Sequence, residues 1–253
     1  MAVAKCLEVC VVQGASRGLG LGLVEALLER GATRVHATCR HPEAASALAE
    51  LASSHPERLQ VHRLDLLDDA SIEAAAAAIL ERDPVLDLVL NVSGVLHGEG
   101  LSPEKRLEDL DRRRLLRAFE LNAVGPSLVL QALVPGLARD RPAVVASLSA
   151  RIGSIGDNRR GGWYGYRASK AALNQLHRTF AVELSRRAPQ AIAVTLHPGT
   201  VETNLTKPFR RSVPEGQLFT VVEAVGKLLT VVDGLEPEDH GGFFDYAGRR
   251  IEW

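Results

Sequence analysis

The chain has 253 residues, 46% of them hydrophobic, with 30 Lys and Arg set against 31 Asp and Glu for a formal net charge of −1. That length supports one large core in a single domain, 1–253, and the balanced charge excludes the basic surface of a nucleic-acid or anionic-membrane protein, which leaves small molecules as the expected partners. Cys6, Cys10 and Cys39 make no disulfide framework, the first apolar run leads into glycines rather than a cleavage site, and no apolar stretch is long enough to span a bilayer, so a reducing, cytoplasmic location is expected.

Residues 7–12 read as a strand and 19–30 as a helix with apolar positions at helical spacing, closed by Gly31. A strand at 35–39, a helix at 43–53, an alternating strand at 59–64 and an alanine-rich helix at 72–80 follow. Residues 86–90 are an apolar strand. A long helical stretch spans 110–137, in which Arg112-Arg113-Arg114 reads as one exposed turn. Then come a strand at 143–148, a helix at 166–187, a strand at 192–196, a helix at 221–232 and a short strand near Phe243. No repeat and no Pro/Ser-rich linker interrupts the series. Strands apolar on both faces and alternating with helices describe a single doubly wound (Rossmann-type) α/β domain, a parallel sheet of about seven strands flanked by helices.

Gln13-Gly14-Ala15-Ser16-Arg17-Gly18-Leu19-Gly20 joins the first strand to the first helix. Glycines there allow a tight turn and let the backbone approach a pyrophosphate, while the helix N-terminus offers unpaired N–H groups, so a dinucleotide site is expected. Selectivity for NAD usually comes from an acidic residue about 20 positions further on, which holds the ribose hydroxyls. Here that neighbourhood is Ala37-Thr38-Cys39-Arg40. Nothing in it repels a 2′-phosphate, and Arg40, helped by Arg17, can pair with one, so NADP(H) is expected over NAD(H).

Tyr166 and Lys170 stand four residues apart on the 166–187 helix, which puts both on one face. A phenol titrates near about 10, and an adjacent cation favours the phenolate, so the pair reads as a proton-transfer site. On their own, Asp65 could cap a turn and Asn122 could mark a helix kink ahead of Gly125-Pro126. No spacing fits a metal site, and His97 and His197, near strand ends, read as structural.

Taken together, Gly14 to Gly20, Asp65, Asn91 to Gly94, Asn122, Tyr166 with Lys170, and Pro198-Gly199 followed by Thr203 make the chain resemble the short-chain dehydrogenase/reductase family over essentially its whole length. Ser149 to Asn158 and Gly161-Gly162-Trp163-Tyr164 are most similar to its C-factor-like and carbonyl-reductase-like members. The resemblance implies an NADP(H)-dependent oxidoreductase acting on a carbonyl compound or secondary alcohol. Tyr166 would be its general acid or base, Lys170 would bind the nicotinamide ribose and lower the tyrosine pKa, and Asn122 would hold a water linking Lys170 to solvent. Cofactor contacts are implied at Gly14, Ser16, Arg17, Gly18, Leu19 and Gly20 in the turn, and at Arg40. Further ones are implied at Asp65 (adenine) and Leu66, at Asn91, Ser93 and Gly94, and at Pro198, Gly199, Val201 and Thr203. A homodimer or homotetramer is implied too, through helices on which Leu116, Phe119, Leu130, Leu173, Leu176 and Phe180 exceed what one face against the sheet uses. Residues 204–218 correspond to a substrate lid, where Lys207, Arg210 and Arg211 beside Phe209, with Phe219 following, would suit an anionic or aromatic carbonyl compound.

Two departures stand out. Asn91-Val92-Ser93-Gly94 replaces the family's Asn-Asn-Ala-Gly and loses a polar side chain. The serine that polarises the substrate oxygen, three residues before Gly153, is Ala150. Ser149 is the favoured substitute and Ser154 the other, although neighbours on an extended chain face opposite ways. With no donor left, the chain would instead be a nucleotide-binding sensor or signalling protein of the C-factor type. Tyr164 has no lysine four residues on and reads as a pocket wall.

Overall fold

The computed structural model describes residues 7–98 and 100–253, so Cys6 lies outside the described residues. Among the described residues nine strands are present: β1 (Val9–Gln13), β2 (Arg34–Cys39), β3 (Leu59–Arg63), β4 (Leu88–Asn91), β5 (Ala143–Leu148), β6 (Ala191–His197), β7 (Thr200–Val201), β8 (Leu218–Phe219) and β9 (Phe243–Asp245). Seven form one parallel sheet in the order β3-β2-β1-β4-β5-β6-β9. The order reverses between β1 and β4, and a crevice therefore opens at their carboxyl ends. The expected doubly wound domain is the one observed. The β7–β8 pair is an addition that no periodicity announces, and it brackets the 204–218 segment.

Helices α1 (Gly18–Glu29), α2 (Ser46–Ser54), α3 (Asp69–Arg82), α4 (Arg112–Phe119), α5 (Gly125–Leu133), α6 (Tyr164–Arg187) and α7 (Val221–Asp233) cover the sheet. On β5 the period of two divides the core: Val144, Ala146 and Leu148 pack with residues of α1 and α7, and Ala143 and Val145 with those of α3, α5 and α6. The 110–137 stretch is not one α-helix, because a π-helical turn, Glu120–Val124, separates α4 from α5. Its cause is Pro126, which has no N–H to give the carbonyl of Asn122, while Gly125 N donates five residues back to Glu120 O. Leu130 and Leu173 are core residues and not surplus. Leu116, Val124, Leu176 and Val182 remain exposed on the outer helices.

Cys10 and Cys39 are buried free thiols, and burial raises the pKa of both. Among the described residues no helix is long and apolar enough to cross a membrane, and no cluster of His, Cys, Asp and Glu could hold a metal ion.

Buried and half-buried histidines make this fold sensitive to acid. His36 places Nε2 2.9 Å from Asp83 Oδ2 and Nδ1 3.0 Å from His62 Nε2, an arrangement that uses neutral rings. Burial holds His62 and His177 down to about 4, against 6.5 for a free imidazole. An unfolded chain therefore takes up protons that the native one refuses, and stability that is complete above about 6.5 is lost as the pH falls towards about 4. Melting followed by circular dichroism should show a falling Tm over that window. A flat profile would mean that these rings accept protons in place.

Candidate active site

The glycine turn is built against the β4 loop. Gln13 Nε2 donates to Ser93 Oγ at 2.8 Å, and Ser93 N donates back to Gln13 Oε1 at 3.3 Å. Gly14 has φ +88°, and a Cβ on it would lie 2.3 Å from Ser93 Oγ, so only glycine lets the two loops meet. Gly14 N and Ala15 N both donate to Thr38 O, which fixes the turn beside the end of β2, two residues before Arg40. Helix α1 then begins at Gly18 with no side-chain cap, leaving its first N–H groups and partial positive charge to an anion from outside. Ser16 is half-buried and Arg17 exposed, and Thr203 lies against Gly18 from across the crevice. The uncapped turn would suit the pyrophosphate of a dinucleotide, and Gly20, where a Cβ would lie 2.0 Å from Gly14 O, is the glycine that lets helix and turn pack.

Other expected contacts already have partners inside the protein. Asp65 Oδ1 accepts from Leu67 N at 3.1 Å and so closes a turn, while Leu66 packs against Gly125. Asn91 is buried and donates Nδ2 to Pro126 O at 2.9 Å and Ser147 Oγ at 3.4 Å, tying β4 to α5 and β5. Pro198 and Gly199 follow β6, and Gly199, at φ +80°, is backed by the rings of Phe219 and Tyr246. Phe219 thus braces this corner, and Val201 is buried beside it in β7.

Tyr166, Ser169 and Lys170 form the buried face of the first turns of α6. Lys170 Nζ donates to Leu148 O at 2.8 Å, and a Cβ on Gly94 would lie 3.2 Å from Nζ and 3.6 Å from Asn122 Oδ1, so lysine, asparagine and the β4 loop meet at one point. The Asn122 side chain is fully used: Oδ1 accepts from Val95 N at 2.7 Å, and Nδ2 donates to Val95 O at 2.9 Å and Ser169 Oγ at 3.0 Å. Ser169 Oγ donates in turn to Tyr166 O at 3.0 Å. Burial pushes the Tyr166 phenol up to about 12 and the Lys170 ammonium down to about 8. The lowered tyrosine pKa expected from the neighbouring cation does not appear, because desolvation dominates and Lys170 directs its proton to a carbonyl.

An aromatic wall stands over Tyr166. The ring of Trp163 is 6.4 Å from that of Tyr166 and 4.8 Å from Phe209, and Phe209 lies 5.9 Å from His97. His97 Nε2 donates to the carbonyl of Leu205, 3.0 Å away, so the 204–218 segment is held down on the β4 side. Arg210 pairs with Glu202 at 2.7 Å, while Lys207 and Arg211 are exposed. The wall is Trp163 and not Tyr164, whose ring is exposed. Sequence reading gives no role to Gln13 or Trp163, although both stand in motifs it singles out, and passes over Ser169.

At the end of β5, Ala150 continues the extended backbone (φ −148°, ψ 146°). Alternation therefore carries Ser147 and Ser149 to the Ala143–Val145 side, which α5 and α6 cover, and turns Ala150 away from it. Ser149 Oγ is buried with no hydrogen-bond partner among the described residues. Ser154 Oγ accepts from Asp157 N at 3.1 Å and is committed to a turn.

A family model described as short chain dehydrogenase matches residues 8–214. The crystal structure of an NADPH-bound carbonyl reductase from chicken fatty liver is similar, with a TM-score of 0.88 and 32% identity, covering 98% of this chain and 100% of that one. The 1-hydroxy-2-glutathionyl-2-methyl-3-butene dehydrogenase of Rhodococcus sp. (strain AD45) is 32% identical over 98% of this chain and 100% of its own. The C-signal of Myxococcus xanthus is 38% identical, covering 66% of this chain and 93% of its own. A match running from β1 past Lys170 to the 204–218 segment takes in the glycine turn, the asparagine and the tyrosine–lysine pair alike, and the chain belongs to the short-chain dehydrogenases.

Proposed function

We propose that the protein is an NADP(H)-dependent carbonyl reductase in which Tyr166 transfers the proton. The observation that carries this reading is a buried phenol and a buried lysine on one face of α6, with Lys170 Nζ against the same Ser93-Gly94 loop that backs the uncapped glycine turn. The cofactor, when bound, supplies the hydride. Burial keeps Tyr166 protonated at neutral pH, so the phenol carries the proton that a substrate oxygen would take. Lys170 Nζ and the Asn122 side chain meet at Gly94, and the Asn122 main-chain carbonyl, which lacks the Pro126 donor, can hold a water for proton replacement. Trp163 and Phe209 exclude bulk water and offer apolar faces to an aromatic carbonyl compound, with Lys207 and Arg211 suiting an anionic group at the rim. Two buried free thiols fit a reducing cytoplasm. Mixing the protein with NADPH and a panel of quinones, aldehydes and ketones should give loss of cofactor absorbance, and silence across the panel would remove this reading.

Arg40→Ala should narrow the preference for NADPH over NADH. Loss of one charge-assisted phosphate contact costs about 1.5 to 3 kcal/mol, or roughly 10- to 160-fold in Kd. Equal dissociation constants in the wild type would contradict the assignment. Leu116 and Leu176, exposed on α4 and α6, support a homodimer or homotetramer through these helices. Light scattering at micromolar concentration should give at least twice the chain mass, and a monomer would leave the exposed leucines unexplained.

Ala150 favours a second reading, a nucleotide-binding sensor with weak catalysis. Its relative, the C-signal, points the same way. Tight NADPH binding without turnover of any carbonyl would support it.

A further inference from the structure

Tyr166 lies in the first turn of α6, the part of a helix that frays most readily. The first intrahelical bond there is Arg167 N to Trp163 O, 2.8 Å, so the N–H groups of Tyr164, Gly165 and Tyr166 have no partner within the helix. Trp163, at the N-cap, has no side-chain acceptor to offer. The approach is also strained: Gly161, Gly162 and Trp163 have φ values of +64°, +65° and +54°, a left-handed run that two glycines accept and a tryptophan resists.

Glu104 answers both problems from 61 residues away. Its side chain is buried, 5% exposed, and Oε2 accepts from Gly165 N at 3.0 Å while its main-chain carbonyl accepts from Trp163 N. A Cβ on Gly165 would lie 3.0 Å from Glu104 Oε1, so glycine at 165 is what admits the carboxylate. No cation pairs with Glu104 among the described residues. Its charge instead meets the positive end of the 24-residue α6. On the other side of the loop Arg167 donates to Gly162 O at 2.9 Å and to Gly161 O at 3.1 Å, so the strained run is gripped from both directions.

We propose that Glu104 is the positioning residue of the catalytic tyrosine: acting as an N-cap supplied by a distant loop, it holds Trp163 in its left-handed conformation and so fixes both the Tyr166 hydroxyl and the ring wall above it. Its catalytic consequence rests on the reductase reading, and its structural consequence does not. Trp163 and Trp253 are the two tryptophans of the chain, so a Trp253→Phe background makes Trp163 the sole reporter. In that background Glu104→Ala should shift Trp163 emission to the red and raise its quenching by acrylamide about twofold. It should lower kcat tenfold or more with the Kd for NADPH unchanged. Glu104→Gln keeps an acceptor for Gly165 N and should restore the Trp163 signal and at least a third of kcat. Emission and quenching in Glu104→Ala equal to those of the parent would overturn the proposal. Where Glu104→Ala does not fold, Gly165→Ala, which crowds the carboxylate, should move Trp163 emission the same way, and an unchanged spectrum there overturns it equally. The fluorescence comparison stands whether or not a carbonyl is reduced, so failure of the reductase reading and failure of the Glu104 assignment are read separately.

Discussion

Tyr166→Phe is expected to lower carbonyl reduction by about 10²- to 10⁴-fold, the range for loss of a positioned acid, while leaving affinity for NADPH nearly unchanged. The hydroxyl acts on the proton in flight, and the ring alone suffices to keep the contact with Trp163. Lys170→Ala should weaken both turnover and cofactor binding. Its ammonium stands beside Gly94 of the β4 loop, and removing it also takes away a donor to Leu148 O. Steady-state kinetics with a fluorescence titration of NADPH separate the two effects. Lys170 adds a pH signature: held down to about 8, it loses its charge above that value, and kcat/KM for NADPH should fall there. Near wild-type turnover in Tyr166→Phe would take the phenol out of the mechanism.

The parts of the structure that depend on local pattern are legible in the sequence. Apolar runs, or for β3 alternation, mark the strands of the seven-stranded sheet, and glycines after the first of them mark the crevice, because backbone approach at Gly14 tolerates no side chain. What stays hidden depends on contacts far apart in the chain. Glu104 caps a helix that begins sixty residues later, and the β7–β8 ladder is too short to carry a period. Pro126 announces a kink, but the π-turn that shapes Asn122 follows only once α4 and α5 are seen to continue through it. The tyrosine pKa shows the same division. A cation four residues on is visible in sequence, whereas the burial that overrides it comes from loops packed over α6. Trp163 in a left-handed conformation runs against local preference, as expected where a site and not a propensity dictates the backbone.

Ser149→Ala is expected to lower turnover by about 10²-fold or more, the typical loss when one donor to a developing oxyanion is removed. With Ala150 unable to donate, two hydroxyls compete for the role, and their surroundings separate them. Ser154 Oγ accepts from Asp157 N, which ties its side chain to the turn after the strand while leaving its own proton uncommitted, so Ser154→Ala should loosen that turn and lower kcat less than Ser149→Ala. Ser149 Oγ is buried, lacks a partner among the described residues, and lies by strand alternation on the side covered by α6, which carries Tyr166. A buried hydroxyl without a partner costs stability, and such a cost is commonly retained where a ligand completes the bond. Ala150→Ser should then add little, because its side chain turns to the opposite face. Kinetics on one good carbonyl substrate for the three single variants and the Ser149→Ala/Ser154→Ala double variant decide the matter. Turnover indifferent to both alanine substitutions but raised by Ala150→Ser would show that the donor has been lost, and would move the protein from reductase to nucleotide-binding sensor.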